Sequence, residues 1–282
     1  MAVDKLVDST QLDADLTSVA NAIRTKGGTS ASLAFPADFV SAIGAIPSGS
    51  TMDFDDFLNG TFPTGAFTAD SATVIPAYSC YNRKNITSVY STTVTDLREF
   101  AFYGCSNLVS VELPNLTVMR VGTGTNTNSN GSFFQNCNIL ATIKMPKLEN
   151  IYGNYAFATQ DNNNANTTIV LPKIKNLGVR AFRQRQCAAV DLGPDLVQIL
   201  ADTFYNSECS VCILRKTSVV PTVSADAIMS LRSVYVPQSL IATYKTSSNW
   251  STRFNAGYIT FYAIEGSQYE NYYADGTPIA TT

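Results

Sequence analysis

Residues 101–114 read AFYGCSNLVSVELP, and residues 133–146 read FFQNCNILATIKMP. The two segments share an aromatic at Phe102 and Phe134, a thiol at Cys105 and Cys137, and an apolar residue at Leu108 and Leu140. Each then runs through an alternating stretch that ends on proline, Pro114 and Pro146. Self-similarity at a fixed spacing marks a repeat architecture. One short unit cannot bury its own apolar side, and it gains a core only when the next copy stacks on it.

Working outward, the centres of successive alternating stretches are Val89, Val111, Ile143, Ile169, Val190, Val211 and Val234. They are separated by 22, 32, 26, 21, 21 and 23 residues. The base period is therefore about 22, with roughly ten residues inserted in the second interval and roughly four in the third. The landmarks Phe102, Phe134, Phe157, Phe182, Phe204 and Ile228 drift in step, at spacings of 32, 23, 25, 22 and 24. The connecting halves repeat as well, with apolar pairs at Leu148/Ile151, Ile174/Leu177 and Leu196/Ile199, each followed after five or six residues by an aromatic. Within the strands, Val109, Val111 and Leu113 alternate with polar or small residues, giving one buried and one solvated face. The predicted fold is α+β: a solenoid of about seven coils with a short-strand parallel sheet. At a strand spacing of ~4.8 Å the stack is roughly 30–35 Å tall.

These units resemble the BspA-type leucine-rich repeat, written approximately L-x-x-I-x-x-x-A-F-x-x-C-x-x-L-x-x-I-x-L-P, over residues 70–240. The resemblance implies a leucine-rich-repeat-like solenoid. The chain departs from it at Gly193, which precedes Pro194, and at Arg215, where a proline is expected. Cys187 and Cys209 follow their aromatics by five residues instead of three, which predicts a different path for those two turns. The organisation expected is a helical segment at 1–47, a linker and N-terminal cap at 48–75, the solenoid at 76–236, a C-terminal cap at 237–266 and a tail at 267–282. The cap is predicted to hold a helix over Gln238–Thr246, the only tryptophan, Trp250, and a final strand at 258–262.

Composition narrows the function. Only 15% of residues are charged against 45% hydrophobic, so the surface is polar through Ser, Thr and Asn. A net charge of -3 and a pI near 5.0 argue against a nucleic-acid binder, which needs a basic field. The chain contains no histidine, which removes Ser-His-Asp and Cys-His nucleophiles and every histidine-ligated metal site. No cofactor and no enzymatic activity are expected. MAVDKLVDSTQLDADL has neither the basic region nor the apolar core of a signal peptide, and no run is long enough to insert in a membrane. A chain made in a cytoplasm keeps its six cysteines reduced. Cys209-Ser-Val-Cys212 is read as packing, with strand alternation placing its thiols on opposite sides.

The first segment differs from the rest. Thr10-Gln-Leu-Asp13 reads as a variant capping box. Leu12, Leu16, Val19 and Ile23 then hold one helical face, and Phe39 and Ile43 belong to a second short helix after Phe35-Pro36. Two short helices bury too little to stand alone and call for a partner. The stretch DSTQLDADLTSVANAIRTKGGTSASLAFPADFVSAI resembles the N-terminal segment of structural proteins in phages of Gram-positive bacteria. That implies attachment to other virion proteins through residues 1–47, a virion location, and display of the solenoid toward a host-cell glycan or protein. A tail-fibre or receptor-binding part and a head fibre or decoration protein both fit, as does a BspA-like surface adhesin. A homo-oligomer on the particle is expected.

Two polar insertions are the candidate ligand loops, with Asn126, Asn128 and Asn130 in the first and Gln160, Asn162, Asn163 and Asn164 in the second. Asn and Thr offer paired donors and acceptors for hydroxyl-rich ligands, and long loops on a rigid scaffold carry function. Asp53, Asp55 and Asp56 are either a solvated turn or a calcium cluster. The tyrosines of SQYENYYADG (Tyr269, Tyr272, Tyr273) are expected to fold back on the chain's own cap or to pack on a neighbour.

Overall fold

The computed structural model describes residues 65–68, 72–159 and 167–279. The chain divides into two units, Met1–Ser50 and Thr51–Thr282, and every described residue lies in the second. Leu12, Leu16, Val19, Ile23, Phe39, Ile43, the Asp53/Asp55/Asp56 cluster and Gln160, Asn162, Asn163 and Asn164 therefore fall outside the described residues.

Short strands recur once or twice per coil. The first series is β1 (Gly65–Thr68), β3 (Ile86–Tyr90), β5 (Ser110–Glu112), β7 (Thr142–Lys144), β9 (Thr167–Leu171), β10 (Gln186–Leu192), β12 (Glu208–Leu214), β14 (Ser233–Val236) and β15 (Thr260–Ala263). In that order they form one nine-stranded, all-parallel sheet. The opposite side of each coil supplies β2 (Val74–Ile75), β4 (Asp96–Arg98), β6 (Val118–Arg120) and β8 (Asn150–Tyr152) as one ladder, and β11 (Gln198–Ile199) with β13 (Thr222–Val223) as another. Isolated parallel bridges Asn150↔Asn176 and Asn176↔Gln198 join the two ladders. The fold is a solenoid of about seven turns.

Register explains why like residues recur. Val89, Val111, Ile143, Ile169, Val190, Cys212, Val234 and Phe261 lie side by side across the sheet, and all are buried. Cys212, not Val211, holds the inward place in β12. Val211 pairs with Ala189 and Ser233 and faces outward, so the expected centre was one residue early. A one-residue slip turns a side chain to the other face. The sequence could not separate two adjacent small apolar residues.

A second column runs through the turns. The rings of Phe102, Phe134, Phe157 and Phe182 stack at 5.2, 5.5 and 5.8 Å with interplanar angles of 3°, 1° and 11°. Phe204 continues the column at 5.4 Å and Ile228 is fully buried, as are Leu148, Ile151, Ile174, Leu177 and Ile199. Left-handed residues mark the turns, on both sides of every aromatic except Phe157, which has one only on its N-terminal side. Two positions before the aromatic stand Phe100, Ser132, Tyr155, Arg180 and Asp202, and two after it stand Gly104, Asn136, Gln184 and Asn206. This kinked backbone points alternate amides at the next coil, as in Phe100 N–H to Gly131 O (2.7 Å), Phe102 N–H to Phe133 O (2.9 Å) and Gly104 N–H to Gln135 O (2.8 Å). The turns thus pair between coils as strands do.

The departures from the repeat have local causes. A Cβ on Gly193 would sit 1.9 Å from the Pro172 carbonyl oxygen, so the close approach of two coils requires glycine there. Arg215 N–H donates to Leu192 O at 3.0 Å, a bond proline would forfeit. In the turn after Phe182 the thiol's place is taken by Arg185, fully buried, whose guanidinium donates to Cys137 O, Leu140 O and Thr167 Oγ1. The C-terminal cap begins with a 3-10 turn, Gln238–Leu240, that leads into α1 (Ile241–Thr246), then α2 (Trp250–Asn255) and β15. Trp250 packs against Tyr244 and Phe261 and donates its indole N–H to Pro221 O at 3.1 Å. The second helix was not anticipated. At six residues it is held by the tryptophan and not by periodicity.

Candidate recognition surfaces

The outer face of the nine-stranded sheet presents two columns. One runs Ser88, Ser110, Thr142, Thr168, Ala189, Val211, Ser233 and Thr260, and the other runs Tyr90, Glu112, Lys144, Val170, Asp191, Ile213, Tyr235 and Tyr262. Its character changes midway. From β3 to β7 it is hydroxyl-bearing and solvated, with Lys144 Nζ on Glu112 Oε1 at 2.8 Å across one coil boundary. From β9 to β14 apolar side chains enter it at Val170, Ala189, Val211, Ile213 and Tyr235. The chain itself covers the part over β10 to β14, while Thr260 and Tyr262 on β15 stay exposed.

The cover is the segment after β15. Ile264 and Tyr269 are buried with Ala189 and Ile213, and Val211, Tyr235 and Ala274 pack around them. Beneath it lies a buried ion pair. Arg215 Nε and Nη2 hold the two carboxylate oxygens of Asp191 at 2.7 and 2.8 Å, with Asp191 only 1% exposed. The other guanidinium hydrogens reach the tail backbone, Nη1 to Tyr269 O and Nη2 to Tyr272 O, both at 2.9 Å. Asp191 Oδ2 accepts Ala274 N–H at 3.0 Å. Tyr235 meets Tyr269 edge-on at 4.8 Å, and the Arg215 guanidinium lies 5.0 Å from the Tyr273 ring centre. Burial pushes the Asp191 carboxyl up, and Arg215 and the Ala274 amide pull it back. The tail folds back on its own chain, onto the sheet face and not onto the cap. Where it ends, Tyr273, Asp275 and Thr277 wall a groove of about 250 Å³ floored by Ile143, Met145 and Val170. Nothing in the tyrosine-rich tail shows its seat by inspection. The one usable signal was a carboxylate interrupting an apolar strand at Asp191, answered one period later by a cation at Arg215.

The first polar insertion is tied down. Val179 N–H donates to Thr127 O (3.1 Å), Asn154 N–H to Ser129 O (2.7 Å) and Asn154 Nδ2 to Asn128 O (3.3 Å). Asn126, Asn128 and Asn130 are exposed. Asn126 Oδ1 accepts Asn128 N–H, and Asn130 Oδ1 accepts the Ser132 hydroxyl. This insertion follows β6, whereas residues 160–166 precede β9, so the two interrupt different connections of the coil.

The six thiols are free and buried. Cys209 and Cys212 both lie in the main core, not on opposite sides of a strand. The ladder skips Ala188 and Ser210 between the Cys187↔Cys209 and Ala189↔Val211 pairs, which breaks the alternation. Burial raises the Cys105 thiol to about 12 and drives Cys80 and Cys137 upward too. Among the described residues no group of Cys, Asp or Glu is placed to hold a metal ion, and no helix is long and apolar enough to cross a membrane.

Residues 73–210 match the BspA type leucine rich repeat region in six copies. No curated protein matches the chain. Similar solved structures include the leucine rich repeat protein TpLRR of T. pallidum, at 16% identity and a TM-score of 0.46, covering 70% of this chain and 85% of that one. A leucine-rich repeat protein from Bacteroides ovatus ATCC 8483 has 17% identity and a TM-score of 0.32, covering 60% and 44%. A leucine rich cell surface protein from Faecalibacterium prausnitzii A2-165 has 15% identity and a TM-score of 0.29, covering 67% and 71%. The stacked aromatics and the inward thiols at Cys105 and Cys137 lie within the residues 73–210 that match the BspA type leucine rich repeat region in six copies.

Proposed function

We propose that this chain is a non-enzymatic recognition protein of a phage virion, of the fibre or receptor-binding type. The observation that carries the recognition role is the open half of the outer sheet face. Ser88, Ser110 and Thr142 stand beside Tyr90, Glu112 and Lys144 on a rigid support, while the apolar half is already occupied. A row of hydroxyls, one ring and one ion pair suits a polar polymer such as a cell-wall glycan, or a protein of matching polarity. Glu112 and Asp191 stand in the same column three strand steps apart, roughly 14 Å. That exceeds the ~5–10 Å between the carboxylates of glycosidases. Carriage on a particle is supported by the resemblance of residues 1–47 to phage structural segments.

The test has two arms. Mass spectrometry of purified particles, with labelling of tail and capsid, should find the chain and tell a tail part from a head fibre or decoration protein. A chain lacking residues 1–47 should fail to join particles, and its incorporation would refute the division of labour. In the second arm, Thr142→Arg should weaken adhesion of the full chain to host cells. The repeat region favours a second reading, a BspA-like surface adhesin, which predicts the chain on bacterial cells and none in particles.

A further inference from the structure

The segment over the apolar half of the sheet is seated in an unusual way. It adds no strand to the sheet; its only bridge among the described residues is internal, Tyr272↔Pro278, supported by Tyr273 N–H to Thr277 O and Ile279 N–H to Asn271 O, at 2.9 and 3.0 Å. It is thus a self-contained turn that can leave without unzipping a β-ladder. Its polar attachments to the Asp191–Arg215 pair are all made through backbone: the carbonyls of Tyr269 and Tyr272 and the amide of Ala274. A guanidinium has five donors in a fixed fork, and here two groups of donors hold Asp191 while the remainder read out a chain conformation. Rings enter at two positions, Tyr269 against Tyr235 and Tyr273 beside Arg215, and Ala274 adds a small apolar contact. The link to β15 passes through Gly266 at φ +76°.

We propose that the Asp191–Arg215 station on β10 and β12 is a peptide-binding site, that residues 269–274 are its resident occupant in cis, and that a partner peptide of the same chemistry displaces them. The partner is a turn-forming segment with two tyrosine rings flanking two free carbonyls and one free amide. Displacement also removes the Tyr273–Thr277 wall of the neighbouring groove, so binding at the station reshapes the surface over Ile143 and Val170. This inference does not depend on where the protein is carried. It concerns the covered half of the face, not the open half.

A tethered occupant competes at an effective concentration on the order of 1 mM, so a free peptide with an intrinsic Kd of about 10 µM binds roughly 100-fold more weakly while the tail is seated. The probe is a fluorescein-labelled peptide of residues 267–279, titrated by anisotropy against the full chain and against the full chain carrying Tyr269→Ser and Tyr273→Ser. Hydrogen exchange at the Ala274 amide reports whether the tail has left. The expected result is exchange of that amide in the double variant, with probe binding tighter by about 100-fold than to the unaltered chain. Adding Arg215→Lys, which keeps the charge but loses the fork, should abolish the gain. Release of the tail without probe binding would make the station a structural seam and overturn the proposal. So would an Ala274 amide still protected in the double variant, or probe binding that survives Arg215→Lys.

Discussion

Replacing Phe157 tests the stacking that the whole fold depends on. Its ring is fully buried between Phe134 at 5.5 Å and Phe182 at 5.8 Å, nearly parallel to both. Truncating a buried Phe to Ala costs about 3–5 kcal/mol through lost transfer energy and the cavity left behind. Two ring contacts, each worth about 0.5–1.5 kcal/mol beyond area, place Phe157→Ala toward the upper part of that range. At about 2–4 °C per kcal/mol for a domain of this size, the melting temperature should fall by roughly 8–20 °C. The site is also special in position. A solenoid holds together through nearest-neighbour interfaces, and Phe157 sits at the middle of the column. The lesion should therefore split one calorimetric transition into two, one for the coils through Phe134 and one for those from Phe182 onward. Phe157→Leu, which retains apolar volume, should lower the temperature less and keep one transition. A Phe157→Ala protein melting within about 2 °C of the unaltered chain would refute the column as a source of stability.

The thiols predict an alkaline limit. Cys105 is raised to about 12 in the folded chain from an ordinary value of 9.0. The folded state therefore keeps a proton that the unfolded state releases, and stability is full below pH 9 and falls as pH climbs toward 12. One such thiol removes about 1.4 kcal/mol per pH unit in that window. Denaturation at pH 8 and pH 10.5 should then show the unaltered chain losing about 2 kcal/mol more than Cys105→Ala, and parallel losses would contradict the account. Gly193→Ala should destabilise by more than about 1 kcal/mol, since the added carbon meets the fixed Pro172 backbone; denaturant midpoints check this. Arg185→Met should cost about 1–3 kcal/mol by removing one donor each from Cys137 O, Leu140 O and Thr167 Oγ1, although the Leu140 amide still reaches Cys137 O and the Thr167 hydroxyl still reaches Leu140 O. Arg185→Lys should recover little of it, because an ammonium cannot span the same three acceptors.

The solenoid was legible because its signal is redundant. Each inward residue is reported again about 22 positions on, so the Phe102 column and the inward residues Val89, Val111 and Ile143 could be read from spacing alone. Legibility failed where redundancy failed. At Cys212 two adjacent small apolar residues compete for one inward place, and the alternation that would separate them is broken in the same strand. The left-handed turn residues went unseen because Phe100, Tyr155 and Arg180 are not residues that advertise positive φ. What holds them is the ladder of amides to the next coil.

Composition and period were enough, by themselves, to determine a parallel stack with an apolar interior and a surface poor in charge. Those properties depend on which residues recur, and recurrence is written along the chain. Only the tertiary structure decided which half of the outer face stays open. That outcome rests on Asp191 meeting Arg215 across one coil boundary, and on that pair meeting the backbone of residues 269–274 more than fifty positions later. Contacts made once, at long range and through main-chain atoms leave no pattern in side-chain order.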